Sequence, residues 1–215
     1  MKSIKKALLT LVLASPLAML APAKADPVTF TGFAHGYEQM KVTSPTSWNS
    51  ILAGEFSIIW NSQSLTSFCI DLYQTISTGA TYTDYVQQAT GFSADTLTAL
   101  GRLYENYYSL VTNSVKSAAF QVAVWKLAYG SFAAIGSDSD ATSAISLGLS
   151  WANQALNNTT LSAGNWEFSR LYSMTRQDQL IAQQGTGNVP LPATALLLGT
   201  GLIGLAAVRR RAASK

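Results

Sequence analysis

The sequence predicts an α+β fold: antiparallel strands forming a sheet or partial barrel, an inserted helical subdomain of about three helices, and a C-terminal anchor helix. Three observations predict it. Between residues 28 and 76, short apolar runs are broken by Gly, Pro, Asn and Ser, the signature of half-buried strands. From residue 93 to residue 156 the apolar spacing changes to that of helices. From residue 167 strand-like runs return, and strands, helices and strands in one chain of 215 residues read as a single α+β body.

Taken in order, residues 27–43 alternate as two short strands with a break at His35 and Gly36, and residues 44–49 form a loop around Pro45. Ile51 to Trp60 is a strand candidate, Asn61 to Ser64 a four-residue turn, and Leu65 to Ile76 a second strand of the same hairpin. Alternation puts Phe68, Ile70 and Leu72 on one face. Ser67, Cys69, Asp71 and Tyr73 then face a mixed polar surface. Gly79 to Tyr85 reads as a turn region.

Ser93 is an N-cap for a helix carrying Leu97, Leu100, Leu103, Tyr104, Tyr107 and Tyr108, with Asp95 suited to its positive end. Asn113 and Ser114 lead into a second helix that Gly130 ends. Its core, Ala118 to Tyr129, is apolar on almost every face, which marks a buried helix. Gln121 lies in the middle of it, and a buried carboxamide without a partner costs about 1–3 kcal/mol. Residues 136–141 are a polar loop, Thr142 to Leu156 a third helix, and residues 167–172 and 178–183 the closing strands.

Charge is sparse, at 12% of residues against 48% hydrophobic, and the polar remainder is rich in Ser, Thr, Asn and Gln, as on an extracellular surface. The net charge of +3 is set by the ends. Eight of the 14 basic residues lie in the terminal segments, leaving six against 11 acids and a body near −5. No basic patch remains, so nucleic acid is excluded as a partner. A single cysteine, Cys69, excludes an internal disulfide, and in an oxidising compartment a lone thiol is buried, consumed in another bond, or reactive.

Both ends read as addresses. Residues 1–25 combine Lys2, Lys5 and Lys6, an apolar stretch from Ala7 to Leu20, and small residues at Ala23 and Ala25: a secretory signal peptide cut before Asp26. At the other end Val189, Pro190, Leu191 and Pro192 open an apolar run that closes on Arg209, Arg210 and Arg211. The run reads as a membrane helix with its arginines on the cytoplasmic side. This three-part tail resembles the PEP-CTERM sorting signal of Gram-negative bacteria, with Leu191 in place of the usual glutamate between the prolines. The resemblance implies recognition by an exosortase-type processing enzyme, a transient inner-membrane anchor, and release to the cell surface or the extracellular matrix. The chain thus divides into a signal peptide (1–25), an extracellular domain (26–185) and a sorting segment (186–215).

A thiol and a side-chain amide condense, with loss of ammonia, to a thioester that persists while water is excluded and reacts with amines and hydroxyls. Ser67-Phe68-Cys69-Ile70-Asp71-Leu72 on a strand and Ala119-Phe120-Gln121-Val122-Ala123-Val124-Trp125 on a helix supply both groups, with Phe68, Phe120, Trp125 and Tyr129 as aromatic shield. Together the two motifs resemble those of the Cys-Gln thioester domains of bacterial surface proteins, over about residues 28–183. That resemblance implies a cross-link between Cys69 and Gln121, supported by Phe68, Asp71, Phe120 and Trp125. It implies an adhesin-like module that binds a nucleophile-bearing surface polymer or protein.

Asp71 either orients the site or bonds to nearby backbone N–H groups. The alternative for the whole chain is a non-reactive envelope or biofilm-matrix protein with a free buried cysteine. A cysteine hydrolase would need a base beside the thiol, and nothing in the sequence ties the only histidine, His35, to Cys69. The chain is therefore read as a non-enzyme, without cofactor, and without a metal site because no ligand spacing occurs.

Overall fold

The computed structural model describes residues 25–185. The expected signal peptide, except for Ala25, and the expected sorting segment with its anchor helix lie outside the described residues. Among the described residues nine strands and three α-helices order as β1 (Asp26–Phe33), β2 (Glu38–Ser44), β3 (Trp48–Ala53), β4 (Phe56–Trp60), β5 (Gln63–Cys69) and β6 (Thr81–Gln88), then α1 (Ala94–Tyr107) and α2 (Ser114–Tyr129). β7 (Ala133–Gly136), α3 (Ser139–Asn157), β8 (Trp166–Tyr172) and β9 (Gln179–Gln184) complete the body.

Six strands close into an antiparallel barrel in the order β1-β4-β5-β9-β8-β6, and β3-β2-β7 form a separate three-stranded sheet. Closure removes edges from the barrel, whereas β3 and β7 remain edge strands. The α+β expectation is met, with three helices inserted between β6 and β8.

The helices begin and end where the sequence marks them. Ser93 Oγ accepts from the Thr96 N–H at 3.2 Å, and Asn113 Oδ1 accepts from the Lys116 N–H at 2.9 Å. Gly130 closes α2 in a left-handed conformation, at φ 64°. α2 is buried from Ser117 through Trp125, as its lack of a polar face predicts, and packs most extensively against α3.

Several boundaries differ from the sequence expectation. The run Ile51–Trp60 is two strands in two sheets, broken at Gly54. A Cβ there would come within 2.6 Å of the Gly36 carbonyl oxygen, so only glycine permits that backbone approach. The following hairpin turns on two residues rather than four, because Asn61 and Ser62 both take left-handed conformations, φ 50° and 60°. β5 ends at Cys69 and does not continue to Ile76; the Asp71 carboxylate accepts the Tyr73 N–H at 2.7 Å and folds the chain into a turn.

Residues 81–88 are a strand, not a turn, since Thr81, Tyr82, Tyr85 and Val86 favour the extended state. β3 starts within the expected loop, at Trp48. α3 starts at Ser139, earlier than expected, because Asp138 Oδ1 caps it by accepting from Ala141 N–H at 2.9 Å. Among the described residues no helix is long and apolar enough to cross a membrane.

Candidate functional site

The site forms where β5 outruns its neighbour. β4 pairs with β5 from Trp60 opposite Gln63 to Phe56 opposite Ser67. Carried two residues further, that register would set position 54 against Cys69, but the chain has left the barrel at Gly54. The backbone groups of Cys69 on that side need other partners, since a buried unpaired N–H or C=O is costly. Gln121 supplies both. Its Oε1 accepts from the Cys69 N–H at 2.9 Å, and its Nε2 donates to the Cys69 carbonyl oxygen at 2.8 Å.

One turn earlier on α2, Ser117 Oγ accepts from the Glu55 N–H at 2.8 Å and donates to the Gly36 carbonyl oxygen at 3.0 Å. Ser117, Gln121 and Trp125 recur every four residues, so one face of α2 substitutes for the missing strand.

The thiol lies under the third of these residues. Trp125 Nε1–H donates to Cys69 Sγ at 3.4 Å, and the thiol donates to the Asp71 carbonyl oxygen at 2.9 Å. Cys69 is 1% exposed, and burial pushes its pKa well above the ordinary thiol range despite the Trp125 and Asp71 contacts. The expected placement of Cys69 on a mixed polar surface is therefore corrected. Ser67, Phe68 and Cys69 are all buried, so both faces of this end of β5 are covered and the face opposite Phe68 is not a polar surface.

The aromatic shield is also rearranged. Trp125 covers the sulfur and stacks on Phe132 at 5.4 Å. The Tyr129 hydroxyl donates to the Ile70 carbonyl oxygen at 3.0 Å and accepts from the Leu72 N–H at 2.9 Å, pinning the turn after Cys69. Phe68 and Phe120 pack on each other at 4.7 Å and join Tyr104 in an aromatic cluster that anchors β5 to α1 and α2. Asp71 places its carbonyl on the thiol and its carboxylate on the turn; half-burial raises that carboxyl's pKa, offset in part by bonds from the Tyr73 and Gln74 backbone.

Beside the sulfur is a cavity of about 30 Å³, lined by Cys69, Trp125, Leu72, Trp48 and Gln177 among others. That is room for one water or one functional group. Trp48, Ile51, Leu52, Thr75 and Gln177 also line an adjoining groove of about 410 Å³, bounded further by Phe33, Phe56 and Ile76. Another depression, about 600 Å³, is on the wall formed by β4 and β5 and includes neither Cys69 nor Gln121.

The C-terminal tail carries a PEP-CTERM protein-sorting motif. The match spans residues 188–211 and includes Val189, Pro190, Leu191, Pro192, Arg209, Arg210 and Arg211, all outside the described residues. No curated protein and no solved structure matches the chain. The sorting motif marks an exported surface protein, recognised and processed by exosortase, with a transient C-terminal membrane anchor.

The motif says nothing of the body's chemistry, and part of that body escapes the sequence reading. Glu55 is fully buried yet ionisable; its carboxylate lies 2.8 Å from His35 Nδ1 and accepts the Tyr108 hydroxyl at 2.5 Å. Burial and the Glu55 contact push the Tyr108 pKa up to about 12. An acid directly before the apolar run Phe56–Trp60 was the available signal. His35 is thus engaged by Glu55, and among the described residues the thiol's hydrogen-bond partners are Trp125 and Asp71. Trp48, whose indole N–H donates to the Leu72 carbonyl oxygen at 2.6 Å, was hidden in what reads as a polar loop.

Proposed function

We propose that the exported body, residues 26–185, is a covalent attachment module, in which Cys69 and Gln121 condense to an internal thioester that later transfers Gln121 to a nucleophile on a surface partner. The Cys69 sulfur adds to the Gln121 carboxamide carbon, the C–N bond breaks, and Nε2 leaves as ammonia with the thiol proton. A partner's amine or hydroxyl then attacks the same carbon. The C–S bond breaks, and the thiolate takes up the proton the nucleophile releases. Each chain does this once, so the reading is of a stoichiometric binder rather than an enzyme, acting at the cell surface or in the extracellular matrix.

The observation that carries this reading is the pair of N–H groups aimed at the two reacting ends. The Cys69 N–H donates to the Gln121 carbonyl oxygen at 2.9 Å, where negative charge develops during either attack. The Trp125 N–H donates to the sulfur, which carries the charge when it leaves. Full burial of both residues supports persistence of the bond, because it keeps water from the carbonyl. Intact-mass measurement of the purified chain tests it. The expected result is a mass one ammonia below that of the sequence, restored in Cys69→Ala and Gln121→Ala, and a methylamine adduct on the native protein alone.

One observation favours a second reading. The Gln121 carboxamide is already satisfied at both ends by the Cys69 backbone, which is what a purely structural clamp requires. On that reading the body is a non-reactive envelope or matrix protein. Its mass would be complete, and its thiol would resist alkylation until the chain unfolds.

A further inference from the structure

We infer that the groove of about 410 Å³ between β3 and the turn after β5 is a non-covalent binding site for a neutral oligosaccharide, a short stretch of a glycan chain. The site is separate from the Cys69–Gln121 chemistry and does not rest on the thioester reading.

The lining of the groove sets the chemistry of the ligand. None of the lining residues is charged. A carboxylate, phosphate or ammonium drawn in would lose its water without meeting a counter-charge, so the fitting ligand is neutral. It is not an apolar one. Ser50, Thr75, Ser77 and Thr78 bring four hydroxyls to the walls. Among the described residues the Thr75, Ser77 and Thr78 hydroxyls have no hydrogen-bond partner, and Ser50 Oγ accepts from Gln39 while its own O–H stays available to donate. Each hydroxyl both donates and accepts, which suits a ligand whose own polar groups are hydroxyls.

The groove also has the shape for a chain. Successive strand side chains point to opposite faces, so a groove lined by Ser50, Ile51 and Leu52 together runs along the edge of β3. That edge is unpaired, since β3 pairs only with β2, and among the described residues no backbone group of Trp48–Ala53 is bonded outside that pairing. Its N–H and C=O groups add donors and acceptors in a row. The volume lies within the range of small-molecule sites.

Trp48 supplies the platform for a sugar ring. Its indole N–H is held by the Leu72 carbonyl oxygen, which fixes the ring plane, and among the described residues no other aromatic ring packs on it. Phe33, by contrast, is already stacked on Phe56 at 4.6 Å and tilted against Tyr37 at 4.9 Å. The negative face of an indole attracts the weakly positive C–H face of a pyranose. The depression on the β4–β5 wall makes the comparison. It too is uncharged and carries hydroxyls, from Thr31, Ser57, Ser64 and Thr66, but no aromatic ring lines it.

The test titrates the purified chain with cellopentaose, maltopentaose and chitopentaose as neutral probes, pentagalacturonate as an anionic one, and a short acetylated Thr/Val peptide as a strand probe. Calorimetry and tryptophan fluorescence read the binding. At least one neutral oligosaccharide should saturate, and pentagalacturonate should bind about tenfold more weakly or worse. Thr78→Arg, at an exposed residue, lays a long charged side chain across the groove and should weaken binding by about tenfold or more. Trp48→Phe should weaken it and abolish the fluorescence change. Ile59→Arg, in the β4–β5 depression, should leave it unchanged. No saturation by any neutral probe, saturation by the peptide in their place, or loss of binding in Ile59→Arg overturns the proposal. Intact mass is read on the same samples. The mass deficit, present or absent, alters none of these expectations, so this inference and the thioester reading fail separately.

Discussion

The substitution Cys69→Ser separates a cross-linked body from a clamped one by stability alone. Serine nearly preserves the volume of cysteine, and its hydroxyl can accept from Trp125 and donate to the Asp71 carbonyl as the thiol does. If Cys69 is a free thiol, the exchange costs about 1 kcal/mol, the order of a conservative core change. If Cys69 and Gln121 are joined, the bond closes a loop of 52 residues. In the chain-entropy model that loop restricts the unfolded chain by about 4 kcal/mol, so the variant should lose about 5. Such a loss is a large part of a typical domain's 5–15 kcal/mol.

Urea unfolding followed by tryptophan fluorescence measures the difference, and the variant's m-value should rise because its unfolded chain is no longer looped. Methylamine provides the control without mutation, since it opens the bond and should destabilise the native protein by about 4 kcal/mol. A loss near 1 kcal/mol, together with no effect of methylamine, would refute the covalent reasoning and leave the hydrogen-bonded clamp.

Gln121→Ala should cost a further 2–4 kcal/mol or so beyond Cys69→Ser, because it also strips the Cys69 N–H and C=O of their partners; denaturant midpoints of the two variants check this. Trp125→Phe keeps the stack on Phe132 but removes the N–H on the sulfur, so methylamine should open the bond roughly tenfold more slowly, read by mass against time. Burial raises the Asp71 carboxyl's folded pKa, so ionisation opposes folding, and its contribution declines as pH rises from the unfolded value through the folded one. Asp71→Asn, whose Oδ1 still serves Tyr73, should therefore equal or slightly exceed the native stability at pH 7 and lose that advantage near pH 3, by thermal melts. Replacing Arg209, Arg210 and Arg211 by serine should leave the tail attached in an exosortase-bearing host, read from the C-terminal mass.

How far the sequence reveals this body depends on whether a feature is local. Caps at Ser93, Asn113 and Gly130 are decided by neighbouring backbone, and each stands where its residue type marks it. The burial of α2 is equally local, being written in its composition. The strand boundaries are not. Gly54 breaks Ile51–Trp60 because Gly36, distant in sequence, passes against it. Asp71 ends β5 through its own side chain, while a plain alternation count carries the strand on to Ile76. Glu55 is buried because His35, Tyr108 and Ser117 converge on it from three separate stretches of the chain.

The contact between Cys69 and Gln121 has a cause that links these two kinds of information. A buried carboxamide in an apolar helix requires partners, and that demand is legible in the sequence. Which partners it finds is set by the stagger of β4 against β5, which only the three-dimensional register reveals. The stagger leaves one residue's N–H and C=O open on the barrel's side toward α2, and that residue is the cysteine. The same departure at Gly54 therefore does two things. It frees β3 to form the separate sheet whose edge borders the groove, and it exposes the Cys69 backbone to Gln121. A substitution that restored β4–β5 pairing beyond Phe56 would compete with Gln121 for those groups, so stability and thiol environment should change together.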